Sequence, residues 1–136
     1  MLFLFIIISF ASLFSSPEKG KIIITIEGVS TGSGTMIIGL FDNQKDFTVT
    51  PVMSQFRSVK EKEPMVVVFE DVPYKSYAIC IYHDLDENRK LDKNMAGIPK
   101  EPYGFSNNPI IVFGPSYEKS TFDLNDKELK LTIQLK

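Results

Sequence analysis

Asp84, Asp86, Asn88 and Asp92 place oxygen-bearing side chains at alternate positions in a polar stretch that follows the apolar run Ala78-Ile79-Cys80-Ile81. Alternating hard oxygens are what a calcium ion asks of a loop. The helix-flanked calcium loops take ligands from their first, third, fifth, seventh and ninth residues and close with a bidentate Glu at the twelfth. Counted from Asp84, these are Asp84, Asp86, Asn88, the carbonyl of Lys90, and Asp92. The sixth position of such loops carries Gly for a sharp turn, and here it holds Arg89; the twelfth holds Met95. Closure would therefore fall to Asn94 or Glu101, further along. The same side chains would also serve an acidic Asx-type turn that hydrogen-bonds its own backbone.

His83 immediately precedes this run, and it and Cys80 are the only residues of their kinds. A Cys beside a His makes an activated nucleophile. On a regular strand, however, alternate side chains point to opposite faces, which parts positions 80 and 83. A zinc site wants more His or Cys than the chain has. A lone Cys excludes an internal disulfide, and within an apolar run it reads as a small buried hydrophobe. Gly28-Val29-Ser30-Thr31-Gly32 has the spacing of a nucleophile elbow, but that elbow requires a helix after the Ser. A β-branched run follows instead, so the stretch reads as a loop.

Beyond the acidic stretch, Tyr103-Gly104-Phe105-Ser106-Asn107-Asn108 adds aromatics and amides to the same long loop. Exposed, they would suit a small ligand, a glycan or a protein partner; buried, Tyr103 and Phe105 would anchor the loop. The candidate ligand-binding set is thus His83, Glu101, Tyr103, Phe105, Asn107 and Asn108. The candidate metal set is Asp84, Asp86, Asn88, Lys90 and Asp92.

These groups need a scaffold, and the flanking sequence reads as strands. Ile22-Ile23-Ile24-Thr25-Ile26-Glu27 and Thr35-Met36-Ile37-Ile38-Gly39-Leu40-Phe41 are rich in β-branched residues and bounded by turn residues, which predicts a hairpin with a long loop. Residues 43–62 are polar and irregular, with Phe47 and Phe56 as expected anchors. Met65 to Glu70, Ser76 to His83, Ile110 to Phe113 and Ser120 to Leu124 read as further strands, with a turn at Asp71 to Lys75. Leu129, Leu131, Ile133 and Leu135 alternate strictly with polar residues, the mark of a strand with one wet face. About seven short strands with no capped helical period predict an all-β, antiparallel β-sandwich.

The 136 residues, 43% apolar and 24% charged, amount to one globular domain, expected over 19–136. The net charge of −2 offers no basic face, so no nucleic-acid partner is expected. Leu2 to Phe14 is apolar and uncharged, short for a bilayer span but the right length for the core of a signal peptide. Residues 1–16 are therefore expected to be a signal peptide, or a membrane anchor if uncleaved. This predicts an exported chain that touches membrane only through that segment.

One long motif carries a resemblance. His83-Asp84, Asp86, Asn88, Lys90-Leu91-Asp92, then Gly97-Ile98-Pro99, Glu101 and Tyr103-Gly104-Phe105-Ser106-Asn107-Asn108 resemble the hallmark of the domain-of-unknown-function 2141 family of exported bacterial proteins. Gly39-Leu40-Phe41-Asp42 with Phe47, Val72-Pro73 through Tyr77-Ala78, and Phe113-Gly114-Pro115-Ser116-Tyr117 resemble its other segments. The family usually carries Gly where this chain has Lys75 and Arg89. The resemblance implies a signal-bearing, single-domain β-sandwich of prealbumin-like or immunoglobulin-like type with no established activity. The reading that follows is a non-enzymatic binding module whose 84–108 loop is ordered by calcium. A hydrolase or lyase using His83, Asp84 and Glu101, and a purely structural domain, stand as alternatives.

Overall fold

Ile22, Ile24 and Ile26 are fully buried, whereas the residues between them are only partly so. This alternation seats the first strand between two neighbours with one face against a core. The computed structural model describes residues 15–61, 64–90 and 99–136. Among them are eight strands: β1 (Lys19–Glu27), β2 (Thr35–Phe41), β3 (Met53–Ser58), β4 (Met65–Pro73), β5 (Lys75–Asp84), β6 (Tyr103–Phe105), β7 (Phe122–Leu124) and β8 (Glu128–Gln134). A single helical turn, α1 (Tyr117–Ser120), precedes β7. Residues 1–14, which hold most of the expected 1–16 signal segment, lie outside the described residues, as do 62–63 and 91–98. Among the described residues no helix is long and apolar enough to cross a membrane.

The strands form two sheets, one ordered β4-β1-β8 and the other β3-β2-β5-β6, with β7 also on β5. Ile22, Ile24 and Ile26 share one core with Met36, Ile38 and Leu40 of β2 and Ile79 and Ile81 of β5. Each such side chain contributes about 1.5–3 kcal/mol on burial, so this inter-sheet layer is the main source of stability. The expected β-sandwich is what the chain forms. Not every pairing is antiparallel, because β8 runs parallel to β1.

Several expectations about individual elements are corrected. β1 and β2 do not form a hairpin; they lie in different sheets, and the Gly28–Gly34 loop crosses from one sheet to the other. The irregular 43–62 region contains β3, a polar edge strand on which Phe56 is 49% exposed rather than an anchor. The 71–75 turn shrinks to Tyr74, with β4 and β5 reaching in from either side. Residues 110–113 form no strand, and Ile110, Val112 and Phe113 are exposed.

β2 is buried along nearly its whole length. The reason is a second apolar cluster on the outer face of its sheet. Phe41, Phe47, Ala78, Cys80 and Phe105 form it, with Tyr103, Ile111 and Tyr117 at its margin. Phe47 is its hub, with ring centroids 5.4 Å from Phe41, 5.8 Å from Phe105 and 5.5 Å from Tyr117. A strand covered on both faces reads as a continuous apolar run, as β2 does.

The two sheets also meet along a seam. Tyr103 and Lys136 exchange backbone hydrogen bonds of 3.2 and 2.9 Å, which brings β6 against the chain just after β8. Gly104 makes this approach possible. A Cβ there would stand 2.8 Å from Ile133 Cγ2 and 2.9 Å from the Gln134 carbonyl oxygen. Gly104→Ala is expected to destabilise the fold by about 1–3 kcal/mol, read as a lower urea midpoint at unchanged slope.

Lys75 occupies a position where the resemblance favours Gly, yet it is not among the residues with positive φ. Its ammonium lies 2.7 Å from Asp42 Oδ2. The Lys75 hydrogen bond, helped by Asn43, holds the Asp42 carboxyl below the ordinary carboxylate range. The same bond pushes the Lys75 ammonium above the ordinary lysine range. A depressed carboxyl stabilises the fold above its unfolded value, and the gain is lost as pH falls through the folded value. The raised ammonium stabilises below its unfolded value, and that gain is lost as pH rises through the folded one. Lys75→Ala is therefore expected to be less stable than the parent chain between those limits. The gap in melting temperature should close as the pH drops below the aspartate range.

Candidate functional site

Asp84 ends β5, opposite Thr35 of β2, and its side chain is fully buried. Beyond it the chain turns by hydrogen bonds from backbone to side chain. Asp84 Oδ1 accepts from the Asn88 amide at 3.2 Å, and Oδ2 from the Arg89 amide at 2.7 Å. Asp86 Oδ1 also accepts from the Asn88 amide, at 3.2 Å, and Asn88 Oδ1 accepts from the Lys90 amide at 2.8 Å. A buried carboxylate is costly unless its oxygens are met, and these amides meet them.

The turn needs left-handed backbone at Glu87, with φ of 56°, and at Arg89, with φ of 59°. Arg89 therefore adopts the conformation for which calcium loops use Gly, at a cost of about 1–2 kcal/mol. Its surroundings offset that cost. The Arg89 guanidinium lies 5.6 Å from the Phe56 ring centroid, and its carbonyl accepts from the Tyr82 hydroxyl at 3.1 Å. Burial, and then the nearby Asp84 carboxylate, push the Tyr82 phenol above its ordinary range, which keeps it a protonated donor.

Glu101 returns to this turn from the far end of the loop. It is 6% exposed, and its Oε1 accepts from the Leu85 amide at 3.0 Å. Asp84, Asp86 and Glu101 each offer one carboxylate oxygen, and the three oxygens lie within 4.8 Å of one another. Calcium–oxygen distances of roughly 2.3–2.6 Å put opposed ligands about 4.6–5.2 Å apart, so the spacing fits a single ion. Glu101 thus stands where the sequence lacked a closing acid. Asp92, Asn94 and Met95 lie outside the described residues.

His83 is fully buried, and the alternation that separates it from Asp84 also separates it from Cys80. Cys80 sits in the outer aromatic cluster. His83 Nε2 lies 2.6 Å from the Ser33 carbonyl, which assigns the ring proton to Nε2. Its Nδ1 is buried and meets no partner among the described residues. Gly34, with φ of 83°, lets the crossing loop press onto this corner, for a Cβ there would meet the Asp84 carbonyl at 2.6 Å. The carboxylate group that closes to 4.8 Å does not include His83. Ser30 lies in the crossing loop with β2 after it, so no nucleophile elbow is built.

The aromatic and amide residues hold the loop's far end to the sandwich. Phe105 is buried in the outer cluster, and Tyr103 is half-buried with its ring centroid 5.9 Å from that of Phe105. Asn107 Nδ2 donates to the carbonyls of Lys119 and Thr121 at 3.1 and 2.8 Å. Asn108 Nδ2 donates to the Thr132 carbonyl at 3.0 Å, and its Oδ1 accepts from the Gln134 amide at 2.8 Å. Ser106, which the sequence did not single out, is buried; its Oγ accepts from the Ile79 amide at 2.9 Å and donates to the Ser120 carbonyl. The run of turn-forming residues Ser106-Asn107-Asn108 was its one signal, since such side chains bond readily to backbone.

Asp84→Ala leaves the amides of Asn88 and Arg89 without their acceptor. It is expected to cost about 2–4 kcal/mol even in metal-free buffer, read by urea denaturation. Asp86→Ala, at an exposed position, should change metal-free stability by less than about 1 kcal/mol.

Neither curated proteins nor solved structures yield a match to the chain. A sequence family described as an uncharacterised protein conserved in bacteria, DUF2141, matches residues 24–132, from the middle of β1 to within β8. That span takes in strands of both sheets and the carboxylate group, and the chain belongs to this family.

Proposed function

We propose that the chain is an exported, non-enzymatic binding module whose 84–108 loop is ordered by calcium. The observation that carries this reading is the convergence of Asp84, Asp86 and Glu101, three carboxylate oxygens within 4.8 Å from both ends of the loop. Bringing three negative groups together is unfavourable without a cation, and two of them are buried. Calcium suits such a site because it takes hard oxygen ligands in flexible geometry. The alternate-oxygen pattern of the sequence would add the Lys90 carbonyl and the Asn88 side chain to the shell, the latter by giving up its bond to the Lys90 amide. Export is supported by the uncharged apolar run from Leu2 to Phe14 that precedes the polar start of the domain.

A purely structural loop is the second reading. It is favoured by the backbone amides already bonded to Asp84 and Glu101. Melting curves in chelator and in calcium separate the two readings. An ion present at 100 times its dissociation constant stabilises by about 2.7 kcal/mol, so calcium should raise the melting temperature by several degrees. The Asp84→Ala and Asp86→Ala double variant should abolish that rise. Superimposable curves for the parent chain with and without chelator would reject the calcium reading.

A further inference from the structure

Beside the carboxylate group lies a cleft of about 400 Å³ lined by Thr35, Phe56, Ser58, Asp84, Glu87 and Arg89. Strand register builds its floor. Ser58, Thr35 and Asp84 stand in one row across β3, β2 and β5, and Phe56 is two residues from Ser58 on the same face. The loop supplies the wall, and Thr35 Oγ1 fastens it by donating to Glu87 Oε1 at 3.4 Å. Phe56 is half exposed, with the Arg89 guanidinium over its ring.

The chemistry of these walls narrows the ligand. An apolar molecule would strip water from the Ser58 hydroxyl, the Glu87 carboxylate and the Arg89 guanidinium, at a cost for each. A phosphate or another strong anion would face the Glu87 carboxylate and, even with a divalent ion on Asp84, Asp86 and Glu101, one uncompensated negative charge, with one guanidinium to offset them. A sugar ring meets each part of the cleft. Its C–H face packs on an aromatic ring, its hydroxyls donate to carboxylates, and they accept from guanidinium and hydroxyl groups. The excess of carboxylates favours an uncharged sugar over an acidic one. The volume lies within the usual range for small-ligand sites.

We propose that this cleft binds a hexose unit of a neutral oligosaccharide, with the half-exposed part of the Phe56 ring that Arg89 leaves uncovered as the surface for its C–H groups, and Thr35, Ser58, Glu87 and Arg89 reading the hydroxyls. The assignment rests on the binding-module reading, because Glu87 and Arg89 belong to the loop that calcium would order.

The test is isothermal titration of the full chain with cellotetraose, mannotetraose and maltotetraose as neutral probes and a galacturonic acid tetramer as the acidic one. Each is titrated in calcium and in chelator, and calcium is titrated separately. At least one neutral tetrasaccharide is expected to bind, and Phe56→Ala should weaken it by roughly tenfold or more, the equivalent of one lost stacking contact. Calcium should still bind that variant, which keeps Asp84, Asp86 and Glu101, though more weakly, because Phe56 supports the turn at Arg89. Thr35→Val keeps the side-chain shape on β2 and removes only the hydroxyl; it should weaken the sugar in the same direction, which secures the test if Phe56→Ala fails to fold. Calcium binding without binding of any neutral probe would overturn the sugar assignment and leave the calcium reading standing. So would sugar binding that neither variant alters, or tighter binding of the acidic tetramer. Sugar binding that is lost with Phe56→Ala while calcium shows no heat would support the cleft and reject the calcium reading.

Discussion

A buried carboxylate at the end of a strand organises this molecule. Asp84 is the last residue of β5, the strand that β2, β6 and β7 all pair with. Its oxygens fold the next turn back on itself through the amides of Asn88 and Arg89. That turn brings Arg89 over Phe56 and Glu87 against Thr35, so a loop becomes a wall on the sheet. Burying a charge is expensive, and the expense is met by local amide donors and tightly specified backbone angles. The loop's shape therefore follows from the need to satisfy one side chain.

The far end of the same loop is fixed by a different means. Ser106, Asn107 and Asn108 use hydroxyl and amide groups to bond backbone on β5, around α1 and on β8. Side chains that sequence alone suggested for ligand recognition act here as stitches between sheets. Polar residues at a seam do this well because each carries both donor and acceptor capacity. The long loop is thus held at both ends by rigid elements, and Glu101 is delivered to the Asp84 turn from the second of them.

Much of the sandwich was legible: β8 through the period-two alternation that survives where one strand face is wet, and β1 through its β-branched run bounded by Gly28. β2 and β5 were legible as continuous apolar runs. Partnership was not legible. The hairpin expected of β1 and β2 assumed that neighbours in sequence pair in space, and the Gly28–Gly34 loop instead crosses between sheets. Residues 110–113 have the composition of a strand, but the edge of β5 is already occupied by β7 at Lys75–Tyr77 and by β6 at Cys80–Tyr82. β3 escaped notice because its partly buried face carries the polar Gln55 beside Met53 and its outer face carries Phe56, so this edge strand shows no apolar alternation. In the loop, the alternate oxygens were visible and Glu101 was one of two residues suggested for closure. The tolerance of left-handed backbone at Arg89 was not, since it depends on Phe56 and Tyr82, which strand register sets on either side of Ile37.

The parallel pairing of β1 with β8 has a consequence for the order of assembly. β1 is the middle strand of its sheet, and one of its two flanks is made by residues 128–134, more than a hundred positions away. Closing so long a loop is entropically slow, and the ladder cannot begin to repay it before β8 is available. A chain passing lengthwise through a pore, amino end first, would therefore emerge with β1 half-paired and would complete its core only when the last strand arrived. For such a chain this topology would delay completion of the core until transit was over.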